Sequence, residues 1–242
     1  MPTAKRQATE VRDPASGPAG IVADRGSNTQ RAYTEIRRRI LDNTMPAGSQ
    51  YLEQELAALL GMSRTPVREA LIRLAEERLV EVRPRHGVRV LPLSPADMRD
   101  IYELLTELES LAARRVAEKG ASPHQIRALE QTITDMDQAL AHNDLIGWAA
   151  ADERFHSLLV AYSGNSRLVA TVSTFMDQVH RARMQTLAHR PRPIDSTRDH
   201  ADLIRAIKAR DPATAAKIHR AHRERAGTML VALLERLGLS AV

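Results

Sequence analysis

The chain contains no cysteine, so disulfide bonds and thiolate chemistry are excluded and a reducing compartment fits its composition. Aromatic residues make up only 3% of the sequence, which argues against the stacking platforms that bind single-stranded nucleic acids. No apolar run approaches the length that spans a bilayer, and the opening MPTAKRQATE lacks the apolar core of a signal peptide. These absences predict a cytoplasmic protein built from packed helices rich in Leu, Ala, Ile and Val.

Charge is mildly positive and unevenly distributed. The 242 residues carry a net charge of +5, and residues 1–92 hold 15 Lys and Arg against 11 Asp and Glu, so +4 of that charge lies there. A basic first part joined to a near-neutral second part is typical of a DNA-binding domain attached to another domain.

The segment from Leu59 to Val90, LLGMSRTPVREALIRLAEERLVEVRPRHGVRV, carries the strongest functional signal. Gly61 ends one predicted helix and Ser63 caps the next, whose first turn is short, polar and basic. Two β-rich runs, 80–83 and 88–91, then flank Pro-Arg-His-Gly as a predicted wing. This order of elements predicts a winged helix-turn-helix whose second helix reads base edges in the major groove. The alternative is a surface helix with solvated arginines.

The chain divides into three predicted regions. Residues 1–28 are rich in Pro, Gly, Ala and Ser without periodicity and are predicted to be a disordered tail. Residues 29–92 form the predicted DNA-binding domain, which starts with a helix at 29–43, and residues 93–242 form a helical domain. The predicted fold class is therefore mainly α, with an N-terminal winged helix-turn-helix followed by an all-α antiparallel six-helix bundle.

Helix boundaries in the second domain follow from capping signals. Ser94-Pro95, Ser122-Pro123 and Asp211-Pro212 each pair a capping residue with proline at the first helical position, and Gln125 completes a capping box. A Pro-rich loop is expected at 190–195. The predicted helices lie near 95–119, 123–142, 144–163, 166–188, 196–210 and 212–237.

Four polar residues lie where the helical pattern predicts buried apolar ones. Asp152 and His156 are four residues apart on one apolar stripe, and a buried carboxylate is costly unless it is compensated. His200 shares the apolar phase of its helix and His222 lies close to that of its own. One carboxylate and three imidazoles are typical ligands of a divalent transition metal. For each histidine alone, a hydrogen-bonded core or surface residue is the simpler interpretation, and His219 receives no ligand assignment.

Two sets of motifs carry a family resemblance. The first is the run Ser63-Arg64-Thr65-Pro66-Val67-Arg68-Glu69-Ala70-Leu71 with Arg73-Leu74 and the wing pair His86-Gly87; the second is Asp152-x-x-Phe155-His156, Gly164-Asn165, Asp199-His200 and His222. In these motifs, over about residues 30–238, the chain resembles the GntR family of bacterial transcription regulators, in the FadR-type branch with an all-helical FCD effector domain. Six helices rather than seven are similar to the VanR-type version.

The resemblance implies a homodimer that binds a palindromic operator in double-stranded DNA. It also implies that zinc or nickel is held by the Asp and three His named above, with a small organic acid as effector. Two positions depart from the pattern. Gln54 stands where relatives carry an arginine that contacts DNA, and Leu105 stands where many relatives carry the arginine that meets the effector carboxylate. Either the effector is bound differently, with Arg181 or Arg183 as the candidate residue, or it is less acidic or not an acid. The candidate DNA contacts are Ser63, Arg64, Thr65, Arg68, Arg73, Arg85, His86 and Gly87.

The leading hypothesis is a metabolite-responsive, sequence-specific transcriptional repressor, which is not an enzyme. A constitutive DNA-binding regulator with a purely structural metal is the first alternative. The second is a metal-dependent hydrolase fused to a DNA-binding domain. The hydrolase is disfavoured because Glu153, the nearest base in sequence, points about 100° away from its neighbour Asp152 on an ideal helix. There is also no nucleophile elbow and no phosphate-binding Gly loop.

Overall fold

The computed structural model describes residues 20–238, with side chains from residue 28 onward. We call residues 20–93 the head and residues 94–238 the bundle. The sheet of the head has the order β1-β3-β2, and both strand pairs are antiparallel. The elements of the head are α1 (Gly20–Leu41), β1 (Gln50–Tyr51), α2 (Glu53–Leu60), α3 (Arg64–Glu76), β2 (Val80–Arg83) and β3 (Gly87–Val90).

The head forms because one face of each helix is apolar. Val67, Leu71 and Leu74 of α3 are buried in a common core with α1 and the sheet. Gly61 adopts a left-handed φ of 61° and ends α2, as predicted. Gly87 has a φ of 81°, and a Cβ atom there would lie 2.2 Å from a backbone oxygen of β1, so this position of the wing requires glycine.

The bundle contains six α-helices within residues 94–238, which confirms the predicted number and order. Ser94, Ser122 and Asp211 each accept a hydrogen bond from a backbone amide of the first turn, and Gln125 closes the predicted capping box. The helices are α4 (Pro95–Lys119), α5 (Pro123–Ala141), α6 (Leu145–Tyr162), α7 (Ser166–Thr186), α8 (Ile194–Lys208) and α9 (Pro212–Arg236), and a 3₁₀ turn (Leu187–His189) follows α7.

The differences from the sequence-based expectation include two helix starts and one strand, and several other ends of elements differ by one or two residues. Helix α1 begins at Gly20 instead of residue 29, because a helix nucleated by its packed part extends at little cost into a weakly periodic segment. The remainder of the predicted tail, residues 1–19, lies outside the described residues. Strand β1 has only two residues and gave no sequence signal. Helix α8 begins two residues early because Pro193 is well tolerated as its N-cap.

Head and bundle meet through α7. Asp177 forms an ion pair with Arg37 of α1, and the Nε2 atom of Gln178 donates a hydrogen bond of 3.3 Å to the carbonyl oxygen of Glu77. Arg181 donates to the carbonyl oxygen of Leu91, 2.9 Å away in the segment that joins the two parts. None of the described helices combines the length and the hydropathy that crossing a membrane requires.

Candidate nucleic-acid interface and metal centre

The first turn of α3 presents its side chains to solvent. The side chains of Arg64 and Arg68 are 67% and 71% exposed, and Ser63 and Thr65 are exposed beside them. Ser63 occupies the predicted N-cap position, but its hydroxyl makes no capping hydrogen bond. The exposed side chains of this turn can therefore contact a nucleic acid.

A groove of about 880 Å³ runs between α3 and the wing. Arg64, Arg68 and Arg85 line it together with Gly87, so four of the eight predicted DNA contacts lie along one groove. Their carboxylate neighbour is Glu53, whose oxygens lie 3.6 Å from the guanidinium of Arg64 and 3.9 Å from that of Arg68. A helix flanked by a basic wing can place guanidinium groups on base edges and phosphates.

Three further residues complete the description of this surface. His86 is exposed at the tip of the wing, and Gln54 lines the groove where the resemblance led us to expect an arginine contact. Arg73 does not join the groove. Its guanidinium lies 3.6 Å from the ring centroid of Tyr33 and donates to Gln30 at 3.1 Å, because the residue faces α1.

The four predicted metal ligands are brought together in the centre of the bundle. Asp152 and His156 come from α6, His200 from α8 and His222 from α9, and all four are buried. Each offers one ligand atom, and these atoms all lie within 4.8 Å of one another. The Nε2 atom of His200 is 2.8 Å from Oδ1 of Asp152, and the Nε2 atom of His156 is 3.7 Å from Oδ2 of the same carboxylate.

Two carboxylates outside the cluster orient its imidazole rings. The Oε2 atom of Glu109 on α4 lies 2.8 Å from Nδ1 of His156, and Oδ2 of Asp199 lies 3.2 Å from Nδ1 of His222. In both histidines Nε2 is therefore the nitrogen left to face the cluster. Such carboxylate–histidine pairs typically fix ring orientation and increase ligand basicity in metal sites.

The protonation states suit metal coordination. Burial, together with the nearby Arg223 cation, lowers the pKa of His156 to about 3, and burial beside His200 lowers the pKa of His222 well below its ordinary value. Burial alone would raise the pKa of Asp152, but Arg183 and the histidines outweigh it and hold that pKa well below the usual range. At neutral pH His156 and His222 are therefore neutral imidazoles beside the carboxylate of Asp152, the forms that bind a cation.

The chemistry of this donor set fits a divalent metal. Nδ1 of His200 is buried without a hydrogen-bond partner among the described residues, and its ring stacks on Phe155 at 4.1 Å between centroids. Its Nε2 atom is directed at Asp152, so the ring is held by packing and by the cluster itself. A second group of ligand types, Glu109, His156 and His219, shares His156 with the first group and offers three ligands rather than four.

The two predicted effector arginines have different environments. Arg183 forms a buried ion pair with Asp152, so its guanidinium lies beside the proposed metal ligands. Arg181 does not: it contacts Leu91 and lies towards the head. Residues two apart on a helix point about 200° apart, so only one of the two can face the cluster. Leu105 is fully buried in the apolar core of the bundle.

Sequence reasoning missed Glu109, His219 and Arg223. All three are buried and linked, because Nε2 of His219 lies 3.0 Å from Glu109 and Arg223 pairs with the other oxygen of that carboxylate. A signal was present: Glu109 follows Leu105 by four residues on the apolar stripe of α4, and Arg223 follows His219 by four on α9.

A cavity of about 140 Å³ opens next to the cluster. Asp152, His156 and His222 form one side of it, and Trp148 and Tyr102 contribute aromatic walls. Four arginines also line it, Arg183, Arg190, Arg192 and Arg223.

A winged head joined to a helical bundle with a buried polar cavity defines a class, the two-domain transcriptional regulator with an effector domain. The comparisons with known proteins agree. Residues 28–90 match the family described as bacterial regulatory proteins, gntR family, and residues 100–225 match the FCD domain. The chain belongs to the GntR family and carries an FCD domain, so it is a transcriptional regulator with a DNA-binding head rather than an enzyme.

Two relatives and two solved structures illustrate the likeness. An uncharacterized HTH-type transcriptional regulator in the TAR-I ttuE-ttuC' intergenic region of Agrobacterium vitis is 44% identical over 154 residues, 63% of this chain and 90% of that protein. The HTH-type transcriptional repressor RspR of Escherichia coli K12 is 30% identical, over 75% of this chain and 79% of the relative.

The structures are those of McbR/YncC from E. coli and of a transcriptional regulator GntR from Rhodococcus sp. RHA1, both with a TM-score of 0.70. They are 20% and 23% identical and cover 84% and 85% of this chain, and 96% and 98% of their own. At this identity the likeness concerns the fold.

Proposed function

We propose that this chain is a metabolite-responsive repressor that binds operator DNA as a homodimer and carries a divalent metal with a small organic-acid effector in its bundle. The observation that carries the proposal is the buried cluster of Asp152 with three histidines, which opens on an arginine-lined cavity in a chain with a DNA-binding head. The repressor name of a relative supports the sign of regulation. A regulator of chromosomal genes acts in the cytoplasm, and that location stays a prediction.

The metal would be held by Asp152, His156, His200 and His222, with zinc and nickel the leading candidates. A bound divalent ion would supply positive charge and open coordination positions for an oxygen ligand. Because the ligands come from three helices, they would also link α6, α8 and α9 and stabilise the bundle.

The DNA contacts would come from α3 and the wing. Arg64 and Arg68 are exposed at the start of α3, where guanidinium groups can bind guanine edges or phosphates. The wing would enter the neighbouring minor groove with His86 and Gly87 at its tip. Two copies related by a two-fold axis would read the two halves of a palindrome.

Helix α7 offers a direct route between cavity and head. Arg183 pairs with Asp152 at the cluster, while Asp177, Gln178 and Arg181 of the same helix contact the head and the segment that joins it to the bundle. A ligand that displaces or holds Arg183 would therefore bias the position of α7. It can shift the equilibrium only by its difference in affinity for the two arrangements.

The cavity favours sensing over a purely structural metal. A structural site is closed by its protein ligands, whereas this cluster lines a space that Arg190 and Arg192 also line, and these two donate to Thr186 and Leu140 rather than to the proposed ligands. The hydrolase alternative is not supported, because the matched families are regulators. Glu153 also contacts His180 at 2.9 Å on the outside of the cluster.

The proposed function is tested by a DNA-binding titration. The operator is selected from a random duplex library with the wild-type protein, and its affinity is then measured at fixed salt with and without each of a panel of organic acids. We expect at least one acid to change the affinity in the metal-loaded protein and to have no such effect after chelation. Unchanged affinity across the panel, with sugars and amino acids included, would support a constitutive regulator instead.

A further inference from the structure

The cavity beside the cluster is small and has two chemically different ends. We call its buried part, lined by Asp152, His156 and Arg183, the inner end. The outer end is lined by the half-buried Arg190 and the exposed Arg192, which come from the segment between α7 and α8. Its volume of about 140 Å³ is below the roughly 300–1,000 Å³ typical of pockets for drug-sized ligands. The space therefore fits a short acid.

The arginines of the inner end already have carboxylate partners. Arg183 pairs with Asp152, and Arg223 pairs with Glu109. All four side chains are buried, so these ion pairs compensate charges that would otherwise be costly in the core. A ligand is not needed to neutralise either cation.

The arginines of the outer end have no such partner. Neither Arg190 nor Arg192 forms an ion pair with a carboxylate within residues 28–238. Arg190 donates to the hydroxyl of Thr186 at 2.9 and 3.1 Å, and Arg192 donates to the carbonyl oxygen of Leu140. Asp195 also lines the cavity, but its side chain is 86% exposed and pairs with Arg198.

Two features favour the binding of an anion at the outer end. Burial, with a contribution from the Arg183 cation, lowers the pKa of Arg190, which means that its charge is poorly compensated where it lies. Pro191 and Pro193 flank Arg192 and fix two backbone φ angles of the segment, so that less conformational freedom is lost when a ligand binds.

We infer that the effector carries two carboxylates, one directed to the inner end of the cavity, where the proposed metal beside Asp152 and His156 would take an oxygen ligand, and one bound by Arg190 and Arg192 at the outer end. This inference rests on the proposed function, because it specifies the ligand of that same cavity. Charge-assisted hydrogen bonds from two guanidinium groups would distinguish a short dicarboxylate from a monocarboxylate of equal size.

The test compares two ligands of nearly identical shape. Succinate carries two carboxylates, whereas succinamate replaces one of them by a neutral amide. Their affinities are measured by isothermal titration calorimetry on metal-loaded and chelated wild-type protein and on Arg190→Gln, Arg192→Gln and Arg205→Gln. Arg205 is an exposed arginine of α8 that pairs with Asp202, and it serves as the matched control.

We expect succinate to bind the wild type and Arg205→Gln about tenfold more tightly than succinamate, and each of the other two variants to lose most of this preference. Equal affinities in the wild type would overturn the inference, as would a preference that survives in both cavity variants. Inorganic phosphate, a compact dianion, should bind more weakly than succinate, and equal binding would contradict two separate ends.

The failure of the inference can be separated from failure of the proposed function. If acetate and succinamate bind as tightly as malonate, succinate and glutarate, the two-carboxylate inference is overturned. The proposed function, a regulator that binds an organic acid, then still stands. Absence of binding by all of these acids would contradict both. Arg192→Gln keeps the test decisive if Arg190→Gln lowers stability, because Arg192 is an exposed residue.

Discussion

The buried carboxylate that sequence reasoning missed gives the sharpest test of the energetics of the bundle. Replacing Glu109 by Gln keeps the shape of the side chain but removes its charge, and Arg223 then becomes an uncompensated cation in the core. Breaking a buried pair in this way typically costs about 3–5 kcal/mol of unfolding free energy. For a protein of this size that corresponds to a decrease in Tm of roughly 6–20 °C.

The assay is unfolding of the chelated protein followed by tryptophan fluorescence. The chain has a single tryptophan, Trp148 on α6, so the signal reports on the bundle. The matched control is Glu107→Gln, two residues earlier on the same helix, because Glu107 pairs with Arg220 on the exposed surface and its removal should change little.

A double variant separates lost charge balance from lost packing. If Arg223 is also replaced by Met, no buried charge is left over and most of the stability should return. Equal losses for Glu109→Gln and Glu107→Gln, or no recovery in the double variant, would refute the reasoning. Because Glu109 also orients His156, the single variant should in addition bind metal about 10–100-fold more weakly.

Three further predictions concern the head, the acid response and the route between them. Arg68→Ala should cost about 1–3 kcal/mol of specific DNA binding if the side chain makes a bidentate base contact, whereas Arg73→Ala should cost less; equal losses in a gel-shift titration would contradict the placement of α3. The Tm of the chelated protein should fall as pH decreases from about 6.5 towards 3, because in this range His156 binds a proton in the unfolded chain but not in the folded one. A Tm that does not change over this range would contradict a buried neutral ring. Asp177→Asn should weaken the effect of an acid on DNA affinity while metal content stays constant, and an unchanged effect would exclude this contact from the coupling.

Local signals in the sequence predicted most helices of the bundle. Ser94-Pro95 and Asp211-Pro212 fixed the starts of α4 and α9 because capping and the fixed φ of proline act within a few residues. The start of α1 and the short strand β1 were missed, since each depends on contacts with distant parts of the chain. The pairing of β1 with β3 is such a contact.

The site was predictable to the extent that helical phase determines it. Asp152, His156 and His200 were found because polar residues interrupt apolar stripes, and such stripes must face the core. Phase alone does not say which helices are neighbours. The tertiary structure was therefore needed to show that α4 contacts α9, which brings Glu109 to Arg223. It was also needed to show that Arg183, and not Arg181, faces the cluster.

The metal content of the purified protein tests the central claim most directly. Elemental analysis is expected to find about one divalent ion per chain in the wild type and in His180→Ala, whose partly buried ring contacts Glu153 outside the cluster. The same measurement on His200→Ala should find little or no metal. A wild type that contains no metal and binds none of zinc, nickel, manganese or iron in a titration would contradict the claim.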